Sequence, residues 1–112
     1  MSSKKGIIYL FSDFDKDGAF KIGVTTGSAE KRKKSLQTGN SGELITVRTY
    51  ETDFPFFIEK RLHDFYSGKK INNEWFELDD CDVDSFIKNC EMIERNINAL
   101  KANEFFKIEK LK

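Results

Sequence analysis

Two short apolar runs joined by an acidic turn constrain this chain more than any other feature of its sequence. Residues 6–11 form a β-branched and aromatic run, which is typical of a buried strand. Phe20, Ile22 and Val24 then alternate with other residues, as in a strand with one buried face. A polar turn over residues 13–18 separates the two runs, so the sequence predicts an antiparallel hairpin.

The remaining periodicity predicts helices around one further strand. Ser28 is a predicted N-cap of a short helix that ends near Gly39. Residues 44–50 form a third β-rich run, and a second helix is predicted to begin at Thr52 or Asp53, ahead of Pro55, and to end at Gly68. Its predicted apolar stripe consists of Phe54, Ile58, Leu62 and Phe65.

The last third of the chain is predicted to be mainly helical. Residues 72–78 suggest a turn and a short extended segment. Apolar residues then recur about every 3.5 positions, a spacing that lapses at Glu104 and restarts at Phe105 and Ile108. This seam contains Val83, Phe86, Cys90, Ile93, Ile97 and Leu100.

This order of elements predicts an α+β fold, with a three-stranded antiparallel sheet flanked by helices and a long C-terminal helix. We expect one domain over residues 1–80. Residues 81–112 are expected to form a helical extension that packs on the same domain. The length of 112 residues is sufficient for one modest core.

Charge and cysteine content narrow the function classes. Nineteen basic residues balance nineteen acidic ones, which argues against a domain that coats nucleic acid non-specifically. No apolar run approaches a membrane span, and no signal-peptide pattern opens the sequence. Cys81 and Cys90 fit no metal motif, so we expect reduced thiols in an intracellular protein of the cytoplasm or nucleus.

The acidic turn does not predict a calcium site. Asp13, Asp15 and Asp17 resemble the start of an EF-hand loop, which requires a bidentate Glu at its twelfth position. That position is occupied by Val24. Hairpin-turn chemistry is the favoured interpretation of these residues.

Two helical positions are candidates for chemistry, each with a structural alternative. Glu59, His63 and Tyr66 would form a polar stripe beside the apolar stripe, able to bind a metal or to act as a solvated pair. Arg32 shares a helix face with Leu36, where it could bind an anion or lay its stem along apolar surface.

Taken together, four blocks of the sequence resemble the GIY-YIG endonuclease superfamily. Gly6-Ile7-Ile8-Tyr9 is similar to the GIY element, and Lys21-Ile22-Gly23 to the YIG element of a virus- and phage-associated branch that has Lys in place of Tyr. The other two blocks are Arg32 with residues 36–40, and Glu59 to His63 with Glu74-Trp75-Phe76. The resemblance extends from about Gly6 to Leu78.

The resemblance implies a set of site residues. Tyr9 matches a Tyr that helps to activate the attacking water, Arg32 an Arg that steadies the scissile phosphate, and Glu59 a metal-binding Glu. Lys21 stands at the second Tyr position, and His63 is a candidate for proton shuttling or phosphate contact. A late Asn of the family could correspond to Asn72 or Asn73.

The predicted function is therefore a Mg²⁺- or Mn²⁺-dependent DNA endonuclease. Lys31, Lys33 and Lys34 are predicted DNA contacts, with Lys69 and Lys70 as further candidates. The alternative is a GIY-YIG-like module that binds DNA without turnover, which the zero net charge and Lys21 favour. The C-terminal seam could also pair two chains as a homodimer, although packing on its own sheet is the favoured alternative.

Overall fold

A computed structural model describes the backbone of residues 5–111 and the side chains of residues 5–99. Strands β1 (Gly6–Asp13) and β2 (Lys16–Thr25) are followed by helix α1 (Ala29–Gln37), strand β3 (Leu44–Thr52) and helix α2 (Pro55–Phe65). A 3-10 turn (Ser67–Lys69), the short strands β4 (Lys70–Asn72) and β5 (Trp75–Glu77), and helix α3 (Asp80–Leu111) complete this part of the chain.

The sheet has five strands over the described residues, in the order β3-β1-β2-β5-β4, and every pairing is antiparallel. The α+β class is confirmed, and the prediction of a three-stranded sheet is wrong. The predicted turn and extended segment fold into a second, very small hairpin, and its strand β5 pairs with Ala19 to Lys21 of β2.

Local backbone geometry explains why these two strands were missed. Each strand is three residues long, too short for an alternating pattern to be recognised. Asn73 turns the chain with a positive φ of 45°, a conformation that Asn tolerates better than most residues. The Ile22 amide donates to the Glu74 carbonyl at 3.0 Å, which extends the contact with β2.

One face of the sheet carries the hydrophobic core, and we call it the core face. Ile8 and Leu10 of β1 and Ile22 of β2 are fully buried there beneath α2 and α3. Residues from both helices close the cluster, among them Ile58, Leu62, Phe86, Cys90, Ile93 and Ile97.

The opposite face lies under α1, and we call it the α1 face. Strand alternation points Tyr9, Phe11 and Asp13 to this side, and all three are buried. Helix α1 itself has no buried residue. Its N-cap is Ser28, as predicted, whose hydroxyl accepts from the Lys31 amide at 3.0 Å.

The predicted stripe on α2 needs one correction. Ile58 and Leu62 are buried, but Phe65 is 58% exposed and its neighbour Tyr66 is 2% exposed. Tyr66 therefore belongs to the core rather than to a polar stripe with Glu59 and His63. The Asn89 side-chain amide donates to its hydroxyl at 3.0 Å. The helix begins one or two residues later than the predicted Thr52 or Asp53, with Phe54 as N-cap and Pro55 in its first turn.

Helix α3 packs its apolar seam on the chain's own sheet. Phe86, Cys90, Ile93 and Ile97 are all buried in the core cluster, whereas Leu100, Phe105 and Ile108 lie outside the residues whose side chains are described. Both cysteines are free, with Cys81 exposed and Cys90 buried. Burial raises the pKa of the Cys90 thiol to about 12. None of the helices in the described part of the chain is both long and apolar enough to cross a membrane.

Candidate functional site

Tyr9 lies at the centre of the candidate site, in the middle of β1. Its ring is 1% exposed and stacks on Phe11 with 4.1 Å between the ring centroids. It pairs across the ladder with Gly23 of β2. A Cβ atom at position 23 would overlap the Tyr9 hydroxyl and ring. Glycine is required there because the Tyr9 side chain lies directly over the backbone of β2.

Arg32 approaches the Tyr9 hydroxyl from α1. Its guanidinium lies near enough to the phenol to lower the pKa of Tyr9. Burial is the larger influence, and with the nearby carboxylates of Glu74 and Glu59 it leaves the pKa of Tyr9 raised above 10.0. Tyr9 is therefore a neutral phenol at physiological pH. Arg32 as a residue is exposed, so one side of its guanidinium is open to a ligand.

Glu59 and His63 reach the site from α2. The Glu59 Oε2 and His63 Nε2 atoms are 3.8 Å apart, and the two side chains are 20% and 21% exposed. Desolvation by burial raises the pKa of Glu59, His63 opposes this shift, and the Glu74 carboxylate adds to it. The charge of Glu59 is thus poorly compensated by the protein, which favours a site for a cation.

His63 is held by the sheet rather than by its neighbour alone. Its Nε2 atom lies 2.9 Å from the Ile22 carbonyl oxygen, which can only accept, so Nε2 carries a proton. The ring also meets Phe76 edge-on, with 4.9 Å between centroids. These contacts fix the last turn of α2 against β2, beside the point where β5 begins.

Lys21 lies on the α1 face, two residues before Gly23. Its Nζ atom is 3.5 Å from Glu74 Oε1 and 5.4 Å from the centroid of the Trp75 ring. Its side chain is only 15% exposed. Lys21 therefore stands beside the Tyr9 centre with both a carboxylate and an aromatic partner, where the resemblance suggested a catalytic group.

The predicted DNA-contacting lysines lie along α1. Lys31 and Lys34 are exposed, while Lys33 is partly covered and lies 3.4 Å from Glu30. Lys69 is engaged elsewhere, since its Nζ donates to Asp82 at 2.6 Å. Lys70 is exposed on β4. Among these residues, Lys31 and Lys34 are the most available for phosphate contacts near Arg32.

The resemblance implies a divalent metal ion bound by a carboxylate of this site. No group of three or more His, Cys, Asp or Glu side chains able to hold a metal occurs among the described residues. A site formed by one carboxylate and several waters remains compatible with Mg²⁺, which keeps much of its hydration shell. Glu59 fits that role because its carboxylate is half-buried and, among the residues whose side chains are described, no Lys or Arg forms an ion pair with it.

Glu74, Asn40 and Trp75 contribute to this region in ways that no sequence pattern predicted. Glu74 was treated as part of a motif, yet its carboxylate influences both Tyr9 and Glu59. Its carboxylate also lies 3.5 Å from Lys21 Nζ, a contact that only the folded chain reveals. Asn40 and Trp75 line a cavity beside Lys21 that no periodicity predicts. Asn72, at the end of β4, and Asn73, in the turn that follows, are both exposed.

The fold and this cluster define a small α+β domain whose polar site is centred on a tyrosine under a short basic helix. The match to a family model narrows the class further. Residues 6–91 match the T5orf172 domain, and the chain belongs to that family, which is phage-associated and nuclease-related. No curated protein and no solved structure matches the chain. The GIY-YIG relationship in particular stays a prediction, as does the division at residue 80.

Proposed function

We propose that this protein is a divalent-metal-dependent endonuclease that hydrolyses DNA phosphodiester bonds at the Tyr9 centre. The observation that carries the proposal is the convergence of three side chains from three separate elements. Tyr9 of β1 meets Arg32 of α1, and Glu59 of α2 lies close enough to influence the pKa of Tyr9. Membership of a nuclease-related family supports the same class of chemistry.

Hydrolysis of a phosphodiester requires an oriented water, neutralisation of charge on the phosphate and a proton for the leaving oxygen. Arg32 offers a planar pair of donors to two phosphate oxygens as negative charge develops. Tyr9 keeps its proton because its pKa is raised, so it acts as a hydrogen-bonding group rather than as a general base. Its role is to orient the water or a phosphate oxygen beside Arg32.

Glu59 would hold the divalent cation, with waters completing the coordination. A divalent ion held there would supply Lewis acidity at the phosphate. His63 has its Nε2 proton committed to the Ile22 carbonyl, so any proton transfer by His63 would have to use Nδ1. We therefore assign His63 first to positioning Glu59. Lys21 is assigned to phosphate contact beside Glu74.

The decisive experiment replaces Glu59 with Gln and measures nicking of supercoiled plasmid with Mg²⁺ or Mn²⁺. Removal of the carboxylate charge should nearly abolish nicking, because metal catalysis supplies several kcal/mol at the transition state. The melting temperature should be unchanged or higher, since the pKa of Glu59 is raised in the folded protein and its ionised form opposes folding at neutral pH.

Asp64→Asn is the matched control, because Asp64 is an exposed carboxylate on the same helix. This variant should nick plasmid at the wild-type rate. Undiminished nicking by folded Glu59→Gln protein would refute the proposed metal site. DNA affinity should persist in both variants and should fall as salt rises, because phosphate contacts release counterions.

The pH dependence provides an independent test. Metal binding requires ionised Glu59, and the raised pKa of that carboxyl means that protonation begins at a higher pH than for an ordinary Glu. The nicking rate should therefore fall on acidification at a pH above the usual value of about 4.3 for Glu. A rate that is flat through this range would indicate that another group holds the ion.

A DNA-binding module without turnover is the second candidate. Two observations favour it: the raised pKa of Tyr9, and Lys21 at the position of a second Tyr. Salt-dependent DNA binding by the wild-type protein, with no nicking in Mg²⁺ or Mn²⁺, would select this function. A homodimer through α3 also stays a prediction, and sedimentation tests it. Ile93 and Ile97 of α3 are buried in the chain's own core, which leaves less of the seam for a second chain.

A further inference from the structure

A small cavity beside the Tyr9 centre has the chemistry of a base-binding subsite. It has a volume of about 170 Å³ and is lined by Lys21, Leu36, Gly39, Asn40, Leu44 and Trp75. Typical pockets for drug-sized molecules measure roughly 300–1,000 Å³, so this cavity suits one ring system rather than a whole nucleotide. Its walls combine an indole ring, a cation and an amide.

The amide of Asn40 is oriented by its surroundings. Its Nδ2 donates to Asp13 Oδ2 at 3.0 Å and to the Gly42 carbonyl at 2.7 Å. Both partners are acceptors, so the nitrogen must face them and the Oδ1 atom must point away. No buried side-chain oxygen among the described residues lacks a partner, so this Oδ1 is accessible. It can accept a hydrogen bond from a ring or exocyclic N–H.

Trp75 and Lys21 supply the other two contacts. The Lys21 Nζ lies over the Trp75 ring, and the ring is half-buried, so one part of it stays open to a ligand. Aromatic rings stack on nucleobases without sequence preference, and a neighbouring cation contacts the phosphate of the same strand. The cavity thus offers a stacking surface, a cation and one polar contact.

A second cavity on the same indole extends this surface away from the centre. It measures about 150 Å³ and is lined by Lys16, Ala19, Ile71, Asn72 and Trp75. Trp75 therefore borders two ring-sized hollows, and each hollow has a lysine from β2. An alternation of aromatic surface and cation matches the alternation of base and phosphate along a single strand.

The position of the first cavity connects it with the reaction. Tyr9 pairs with Gly23, and Lys21 is the diagonal neighbour on the same face, at a Cβ separation of roughly 7–8 Å in such a ladder. One nucleotide spans this separation. A base in the cavity would consequently place its own phosphate near Arg32 and Tyr9.

We infer that Trp75 and its two cavities bind unpaired bases of single-stranded DNA, so that the enzyme's substrate carries an unpaired segment at the scissile phosphate. This inference rests on the proposed function for its connection with cleavage. Base-paired DNA cannot place a base in the cavity without flipping it, which costs unstacking energy. The surface therefore selects single-stranded, flap or mismatched DNA over continuous duplex.

Trp75 is the chain's single tryptophan, so its fluorescence reports the inferred contact directly. The experiment uses Glu59→Gln protein in EDTA, which removes cleavage from the measurement. Addition of a short oligothymidylate should quench the tryptophan emission, and a hairpin-closed duplex of equal length should quench it far less. Equal quenching by the duplex, or none by the single strand, would overturn the inference. Tighter binding of oligouridylate than of oligothymidylate would overturn the assignment to DNA.

Substitution at position 75 gives a second measurement. Trp75→Leu should weaken oligothymidylate binding about 5- to 150-fold, the range expected for loss of one base stack, while Trp75→Phe should retain most of the affinity. Phe65→Leu is the control, because Phe65 is an exposed aromatic on α2, outside the surface. Wild-type affinity in a folded Trp75→Leu protein would overturn the inference.

The two hypotheses fail in different ways. Wild-type protein that nicks plasmid but shows no tryptophan quenching would remove the base-binding surface and leave the endonuclease in place. Quenching by single-stranded DNA in a protein that never nicks would keep the surface and remove the endonuclease.

Discussion

The two faces of the sheet are built from alternate residues of the same strands, yet they have different roles. Even-numbered residues of β1 enter a deep apolar core beneath two helices. Odd-numbered residues, led by Tyr9 and Phe11, are equally buried, but α1 above them contributes no buried side chain. The α1 face is thus covered thinly and by polar groups. Stability resides mainly on the core face. Tyr9 and Lys21 lie on the thinly covered α1 face beneath Arg32, whereas Glu59 and His63 reach the site from α2.

The largest effect should come from the core face. Phe86→Ala removes a fully buried ring and should cost about 3–5 kcal/mol of folding free energy. Phe65→Ala removes an exposed ring and should change stability by less than about 0.5 kcal/mol. Urea unfolding of both variants measures the difference. Similar losses at the two positions would contradict the assignment of the core to Phe86's side of the sheet.

A polar contact at the border of the core face should give the next largest effect. Glu94 Oε1 of α3 accepts from the Tyr50 hydroxyl at 3.0 Å and from the Thr52 hydroxyl at 2.6 Å. Glu94→Ala should destabilise the protein by about 1.5–3 kcal/mol, the usual value for hydrogen bonds to a charged group. The exposed Glu91→Ala is the control, and thermal unfolding that leaves the two variants equal would show that this contact contributes little.

On the α1 face, Gly23→Ala tests the approach of Tyr9 to β2. The added methyl group overlaps the Tyr9 ring, and relief of such overpacking should cost about 1–3 kcal/mol. Nicking should also fall, because Tyr9 must move relative to Arg32. Gly27→Ala meets its nearest atom at 3.8 Å and should behave as wild type in both assays. Full activity and stability in Gly23→Ala protein would place Tyr9 elsewhere.

The smallest stability effect is expected at Arg32. Arg32→Lys keeps the positive charge at an exposed position, so the folding free energy should change by less than about 0.5 kcal/mol. Nicking should nevertheless fall strongly, because lysine lacks the planar fork that binds two phosphate oxygens. Lys34→Arg, on the same helix, should retain activity. A large loss of stability in Arg32→Lys protein would assign Arg32 to the fold rather than to the site.

Sequence patterns predicted those parts of the fold in which side-chain burial sets the structure. The hairpin of β1 and β2, the Ser28 cap and the buried positions of α3 up to Ile97 follow from alternation, capping chemistry and helical spacing. The strands β4 and β5 could not be predicted, because each has only three residues and Lys70 to Asn72 carries almost no apolar pattern. Phe65 was predicted to be buried and Tyr66 to be polar surface, and the structure reverses the two. Adjacent positions at a helix end lie close to the boundary between buried and exposed surface.

The candidate site was predictable only in part for a related reason. Tyr9, Arg32 and Glu59 could be selected one at a time, from a family resemblance, and in the fold both Arg32 and Glu59 lie near enough to Tyr9 to influence its pKa. Glu74 and Asn40 depend on tertiary contacts that no local spacing encodes. The raised pKa of Tyr9 likewise depends on burial by the folded chain, which the sequence does not reveal.

The buried thiol of Cys90 has a further consequence for how the molecule moves. A thiol that is 0% exposed and whose pKa is raised to about 12 cannot react with an alkylating reagent while α3 stays on the sheet. The alkylation rate of Cys90 therefore depends on how often α3 opens from the sheet. Cys81, at the start of the same helix, is exposed whether or not α3 opens, so its alkylation rate calibrates the reagent. The ratio of the two alkylation rates therefore measures how often α3 detaches from the sheet.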